Sequence, residues 1–124
     1  MQASPIKEVD HALVLGQAVQ RVAAGLGLTG RAVAQTVGFS EATVSRIWQG
    51  ERGIDPKSKE GQLALMLVRV FRSLDALVGG SESKRQTWMH THNTALLGVP
   101  ANLILSPEGL ARTLAYLDGM RAPN

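Results

Sequence analysis

Residues 40–49 bring together side chains that can hydrogen-bond to the edges of nucleic-acid bases. An arginine can pair with guanine, a glutamine can pair with adenine, and a carboxylate can accept a hydrogen bond from the amino group of cytosine. Arg46, Gln49 and Glu41 are therefore candidates for these three contacts. The full set of polar candidates in this stretch is Ser40, Glu41, Thr43, Ser45, Arg46 and Gln49, all expected to be exposed. Phosphate contacts are available to Arg31, Arg52, Lys57 and Lys59.

Each of these residues also has a simpler interpretation. Glu41 can stabilise its own helix as an acid in the first turn, in which case it repels nucleic acid. Arg46 and the two lysines can be solvated surface charges. Trp48 can lie in the core or at an interface, and we expect the core.

The spacing of residues 33–47 predicts a helix-turn-helix that would position these side chains. The first helix needs a small residue where the second crosses it, and Ala34 meets that need. Four residues later, Gly38 tolerates a left-handed turn without steric cost. Val44 then plugs the space between the helices. Further apolar contacts are expected from Val33, Val37, Phe39 and Ile47. An unrelated helical hairpin is the alternative, whereas a helix-turn-helix would present its second helix to the major groove.

Composition limits the other classes of function. The chain has 124 residues, a formal net charge of +3 and no cysteine, so disulfide scaffolds and thiolate metal sites are excluded. The charged N-terminus predicts no signal peptide, and the most apolar stretch, 63–78, contains charges that argue against a membrane span. We expect a cytoplasmic protein without a membrane partner. His90 and His92 would diverge on a helix, and no nucleophile–base pair stands out, so neither a metal, a cofactor nor an enzyme is predicted.

The pattern of apolar residues, glycines and caps predicts an all-α fold. Helix-capping residues are Thr29, Ser40 and Ser106, and the Ser-Pro-Glu sequence at 106–108 is typical of a helix start. We expect Asn93–Leu97 to form a helical turn and 100–105 a compact turn. Helices are predicted at 8–24, 29–37, 40–49, 58–78, 82–90 and 106–120, with the long apolar helix at 58–78 central and buried.

The C-terminal half carries an ordered series of residues at short spacing. The series begins with Trp88, continues as Asn-x-Ala-Leu-x-Gly-x-x-Pro at 93–100, and ends with a capped helix containing Tyr-Leu-Asp at 116–118. This half resembles the C-terminal domain of the Xre/MbcA/ParS antitoxin family. With the upstream helix-turn-helix, the resemblance covers nearly the whole chain.

The resemblance implies an antitoxin of a type II toxin–antitoxin pair. It implies an Xre-like helix-turn-helix domain, placed at 1–65, which dimerises and binds promoter (operator) DNA, and a small helical toxin-binding domain, placed at 66–124. The implied partner is a RES-domain toxin that consumes NAD, with the antitoxin covering its active-site cleft. A homodimer is therefore expected.

The last helix offers candidates for the toxin contact. If Leu110, Leu114 and Leu117 are buried, the opposite face carries Arg112, Tyr116, Met120 and Arg121. We expect Arg121 and the terminal carboxylate of Asn124 to lie nearest the toxin site, although a frayed tail is the alternative. Trp88 and Asn93 complete the predicted toxin-binding set.

Two other functions remain open from the sequence. The chain can be a stand-alone transcriptional regulator whose C-terminal half only dimerises. It can also be an interaction protein whose helix-turn-helix has lost DNA binding, which Glu41 and the modest net charge would favour.

Overall fold

Residues 9–121 are described by the computed structural model, and within them the chain forms helices joined by short turns. No strand occurs in this range, and one isolated antiparallel bridge joins Asn93 to Gly98. The helices are α1 His11–Leu26, α2 Gly30–Val37, α3 Glu41–Trp48, α4 Lys59–Leu77, α5 Glu82–His90, α6 Pro100–Leu103 and α7 Pro107–Arg121. The predicted all-α class is confirmed.

Short polar side chains start the helices. Thr29 accepts a hydrogen bond from the Ala32 backbone N–H, and Ser40 accepts one from the Thr43 N–H, as the sequence predicted. Ser106 accepts one from the Gly109 N–H at the start of α7. Asp10, Ser58 and Ser81 cap α1, α4 and α5 in the same way. These bonds satisfy backbone donors that have no partner within the helix.

The long helix α4 is the centre of the molecule. It packs against α1, α2 and α7, and Leu67, Val70 and Leu74 on it are fully buried. The buried residues of the helix-turn-helix and of α7 belong to the same hydrophobic cluster. The helix-turn-helix and α7 are therefore packed on one shared helix, as expected for a central, largely apolar helix.

A buried arginine fixes α5 against its neighbours. The Arg85 guanidinium forms an ion pair with Asp75, donates to the Gly25 carbonyl oxygen, and lies 5.0 Å from the centre of the Phe71 ring. A buried charge is tolerated when it is paired and hydrogen-bonded in this way. Trp88 and the residues that follow it are thereby held in place relative to α1 and α4.

Two local predictions were wrong. The first helix continues through Gly25 to Leu26, because it is Gly27 that supplies the left-handed conformation at its end, with φ 69°. Asn93–Leu97 is not helical. It is a turn whose ends pair with each other, and we call residues 93–98 the 93–98 turn.

Candidate functional site

The helix-turn-helix is built as the spacing predicted. Ala34 and Val44 are buried where α2 meets α3, and Ile47 is buried one turn further along. Gly38 has φ 96°, and both its N–H and that of Phe39 donate to the Ala34 carbonyl oxygen at 2.9 Å. A residue with a Cβ is strained at this φ, so the glycine has a conformational role.

The polar side of α3 carries most of the predicted base-reading residues. Ser40, Glu41, Ser45, Arg46 and Gln49 are all exposed. Gln49 donates from Nε2 to the Ser45 Oγ at 3.2 Å, so these two side chains are held together on one face of the helix.

Thr43 is the exception, because it is 9% exposed rather than free to reach a base. It shares the packed face of α3 with Val44 and Ile47. Its Oγ1 accepts hydrogen bonds from the Ser40 hydroxyl at 3.0 Å and from the Arg46 guanidinium at 3.3 Å. Thr43 is therefore less accessible than the other predicted contacts, and its hydroxyl is hydrogen-bonded to the Arg46 side chain.

Basic side chains flank the helix-turn-helix. Arg31 is exposed in the first turn of α2, and Lys57 and Lys59 are exposed near the start of α4. The Arg52 guanidinium lies 5.2 Å from the centre of the Phe39 ring, and its Nε donates to the Gly53 carbonyl oxygen. Trp48 is half-buried against the hydrophobic cluster, in agreement with a core role.

Side-chain hydrogen bonds tie the end of α7 to α4. The Ser73 hydroxyl donates to Asp118 Oδ1 at 2.7 Å, and Arg69 donates to Asp118 Oδ2 at 3.0 Å. Arg121 in turn donates to the Ser73 Oγ at 3.1 Å. Leu110, Leu114 and Leu117 on α7 are buried in the hydrophobic cluster. The C-terminal end of α7 is therefore fixed by a buried stripe and by polar contacts.

The 93–98 turn is tied to α7. Its ends exchange backbone hydrogen bonds, from the Asn93 N–H to the Gly98 oxygen at 2.8 Å and from the Gly98 N–H to the Asn93 oxygen at 3.2 Å. The Asn93 Oδ1 accepts from the Leu96 N–H at 3.0 Å, and the Arg112 guanidinium donates to the Leu96 carbonyl oxygen.

Comparison with protein-family models identifies both parts of the chain. A model described as the antitoxin Xre-like helix-turn-helix domain matches residues 5–69, which is more than half of the chain. A second model, the antitoxin Xre/MbcA/ParS C-terminal toxin-binding domain, matches residues 73–122. No curated protein matches the chain.

The chain belongs to the Xre/MbcA/ParS antitoxin family. The antitoxin thus combines a helix-turn-helix, which implies DNA as a partner, with a domain that implies a toxin as the other partner. Both are non-enzymatic kinds of domain. No helix within residues 9–121 is long and apolar enough to cross a membrane.

The residues predicted to bind toxin fall into two groups in the antitoxin. Trp88 and Tyr116 are half-buried and stacked on each other, with ring centres 6.4 Å apart and planes at 19°. Met120 is 58% exposed at the end of α7. Arg112 and Arg121 are exposed, but Arg112 donates to the Leu96 carbonyl oxygen and Arg121 donates to the Ser73 Oγ. Asn93 is half-buried, and its backbone N–H donates to the Gly98 oxygen in the 93–98 turn. Asn124 lies outside the described residues.

Sequence reasoning missed Arg69 and Ser73 as positioning residues for α7. They lie one helical turn apart on α4, while Asp118 and Arg121 lie one turn apart on α7. That matched spacing is the available signal, but their partners are 45 to 49 residues away in sequence. His90 contacts the Leu26 carbonyl oxygen through Nε2, and no group of three or more potential metal ligands occurs within residues 9–121.

Proposed function

We propose that this antitoxin neutralises an NAD-consuming RES-domain toxin by binding it through the C-terminal domain and occluding its active site. The observation that carries the proposal is the match of residues 73–122 to the toxin-binding domain, combined with a rigidly held α7 that ends in exposed side chains. A rigid element loses little conformational entropy on binding, so it can block a pocket effectively.

The end of α7 supplies the occluding element in this proposal. Met120 offers exposed apolar surface, and Arg121 offers a cation beside it. Burial of apolar surface is the dominant favourable term in most protein–protein association, whereas an exposed charge contributes little. We therefore assign the main contact to Met120, Tyr116 and Trp88, with Arg121 and Asn124 nearest the active site.

We further propose that the antitoxin represses its own operon through α3. Arg46 is held by Thr43 and Gln49 by Ser45, so both side chains are oriented before DNA is bound. Arg46 and Gln49 read base edges, Ser40, Glu41 and Ser45 make the surrounding polar contacts, and Arg31 contacts phosphate. Gel-shift titration against the operon promoter tests this proposal, which fails if Arg46→Ala binds the promoter as tightly as the unmodified antitoxin.

A homodimer is the form in which we propose that the antitoxin binds its operator. Exposed apolar side chains border the groove between α1 and α4, among them Val14 and Leu65. Contiguous exposed apolar surface of this kind marks interaction sites. Light scattering tests the proposal: Val14→Lys is expected to be monomeric, and an unmodified antitoxin that is monomeric at all concentrations would contradict it.

The domain division at residue 65 is a functional proposal rather than a break in the structure, because positions 65 and 66 lie inside α4. Residues 1–65 are assigned to DNA binding and dimerisation, and residues 66–124 to the toxin. We expect the shared helix to make the two parts unfold together.

Co-expression with the product of the adjacent reading frame tests the proposed function. The neighbour alone is expected to stop growth and deplete cellular NAD, and the antitoxin is expected to restore both. A harmless neighbour would favour the alternative of a stand-alone regulator whose C-terminal half only dimerises. Deleting residues 120–124 is expected to abolish rescue, and intact rescue would refute the assigned role of the tail.

A further inference from the structure

Leu97 combines two features that are unfavourable in the isolated antitoxin. Its side chain is 80% exposed, the greatest exposure among the large hydrophobic residues in the described part of the chain. Its backbone has φ 59°, and within residues 9–121 every other residue with positive φ is a glycine. The left-handed conformation is sterically disfavoured for any residue with a Cβ.

The surroundings of Leu97 enforce this conformation. The two backbone hydrogen bonds between Asn93 and Gly98 close the turn, and the Leu97 N–H donates to the Thr94 oxygen at 3.3 Å. The preceding residue, Leu96, is buried, and its N–H and carbonyl oxygen are bound by Asn93 and Arg112. A turn fixed at this many points presents one apolar side chain in a single direction.

Burial inside the antitoxin does not compensate for the strain at Leu97. A glycine would form the same turn without steric cost and without exposing apolar surface to water. Strained backbone maintained by its surroundings is characteristic of functional positions. The favourable contribution of this side chain must then come from a partner that covers it.

We propose that Leu97 is an apolar anchor of the toxin interface and inserts into an apolar pocket on the toxin. This inference rests on the proposed function, because the occupant is the toxin. The assignment to the toxin rather than a second copy of the antitoxin follows from position. Leu97 lies within the segment matched to the toxin-binding domain, whereas Val14 and Leu65, assigned to the dimer, lie on α1 and α4.

The roles of Asn93 and Arg112 change accordingly. Both were predicted as toxin contacts, but the Asn93 Oδ1 and one Arg112 guanidinium nitrogen are hydrogen-bonded to the backbone of the turn that carries Leu97. They act as positioning residues, and their effect on toxin binding passes through Leu97. Removing the Asn93 side chain from a chain that already lacks Leu97 is then expected to cause little further loss of affinity.

The test compares toxin affinity with the thermal stability of the free antitoxin. The probe is the purified product of the adjacent reading frame, and calorimetry gives the Kd for the unmodified antitoxin and for Leu97→Gly, Leu97→Asn and Leu13→Ala. Glycine and asparagine both tolerate the left-handed conformation. Leu13→Ala is the matched control because it truncates another exposed leucine, on helical α1 and outside the segment matched to the toxin-binding domain.

Both Leu97 variants are expected to weaken toxin binding by roughly 10-fold or more, as the loss of a buried leucine predicts. Leu97→Gly is expected to raise the Tm of the free antitoxin by roughly 2 °C because it relieves strain. The control is expected to change the Kd by less than about 2-fold, which is a smaller change in affinity than the loss of one buried CH₂ group would cause. A rise in stability with a fall in affinity is a combination that a purely structural residue does not produce.

Three results would overturn the inference. If the Leu97 variants bind the toxin as tightly as the unmodified antitoxin, Leu97 is not an anchor, and the proposed function is left intact. A fall in Tm for Leu97→Gly would show that the side chain stabilises the free fold. If the unmodified antitoxin does not bind this protein at all, the proposed function fails and the anchor fails with it.

Discussion

The contact between Asp118 and α4 yields a quantitative prediction. Asp118→Ala removes the acceptor for the Ser73 hydroxyl, which belongs to a residue only 2% exposed, and also breaks the pair with Arg69. A hydrogen bond to a charged group contributes about 1.5–3 kcal/mol. The Arg69–Asp118 pair, with side chains 59% and 41% exposed, falls in the class that contributes about 0.2–1 kcal/mol.

The expected loss for Asp118→Ala is therefore about 2–3 kcal/mol in the free energy of unfolding. Arg69→Ala breaks only the exposed pair and is expected to cost about 0.5 kcal/mol. Asp118→Asn keeps an oxygen that can accept from Ser73 but loses the charge, so its cost should lie near 1 kcal/mol. The expected costs rise from Arg69→Ala through Asp118→Asn to Asp118→Ala, in the order in which the contacts of Asp118 are lost.

Urea unfolding at one fixed protein concentration measures this series, since any dimer makes stability depend on concentration. Tryptophan fluorescence is a suitable signal because Trp88 stacks on Tyr116 of α7. If Asp118→Ala destabilises the antitoxin no more than Arg69→Ala does, the buried hydroxyl contact contributes nothing and the reasoning is wrong.

Three further substitutions test separate features of the antitoxin. Gly38→Ala should lower the free energy of unfolding by about 1–2 kcal/mol, because φ is 96° at this position. Gly119→Ala, in the open last turns of α7, should raise the free energy of unfolding by up to about 1 kcal/mol. Chemical unfolding of both variants checks that the two changes in stability have opposite signs. Thr113→Val should leave stability unchanged or raise it by about 1 kcal/mol, because the buried Thr113 hydroxyl has no hydrogen-bond partner among the described residues; a loss above about 1 kcal/mol in the same assay would contradict this. Arg31→Ala should reduce the slope of log affinity for promoter DNA against log salt by about one unit, and an unchanged slope in a salt titration would show that Arg31 makes no phosphate contact.

Features determined by neighbouring residues were predictable from the sequence. The serine and threonine caps and the glycine stop of α2 act within a few residues of their own position, so their patterns were sufficient. The helix-turn-helix was predictable for the same reason, since Ala34, Gly38 and Val44 meet within one short segment.

Features that depend on distant partners were not predictable. The sequence predicts a helical turn at 93–97, whereas the closure of the 93–98 turn and its contact with Arg112 of α7 leave no periodic pattern. Thr43 was predicted to be exposed from its polarity, but its helical phase turns it toward the packed face. The conformation of Leu97 likewise follows from contacts around it and not from its own residue type.

Inhibition of the purified toxin tests the central claim most directly. The rate of NAD consumption by the adjacent gene product is measured with increasing antitoxin at several NAD concentrations. Occlusion of the active site predicts that the rate falls to zero at saturating antitoxin, and that saturating NAD weakens antitoxin binding. A complex that forms but still consumes NAD, or inhibition that is partial and independent of NAD, would contradict occlusion.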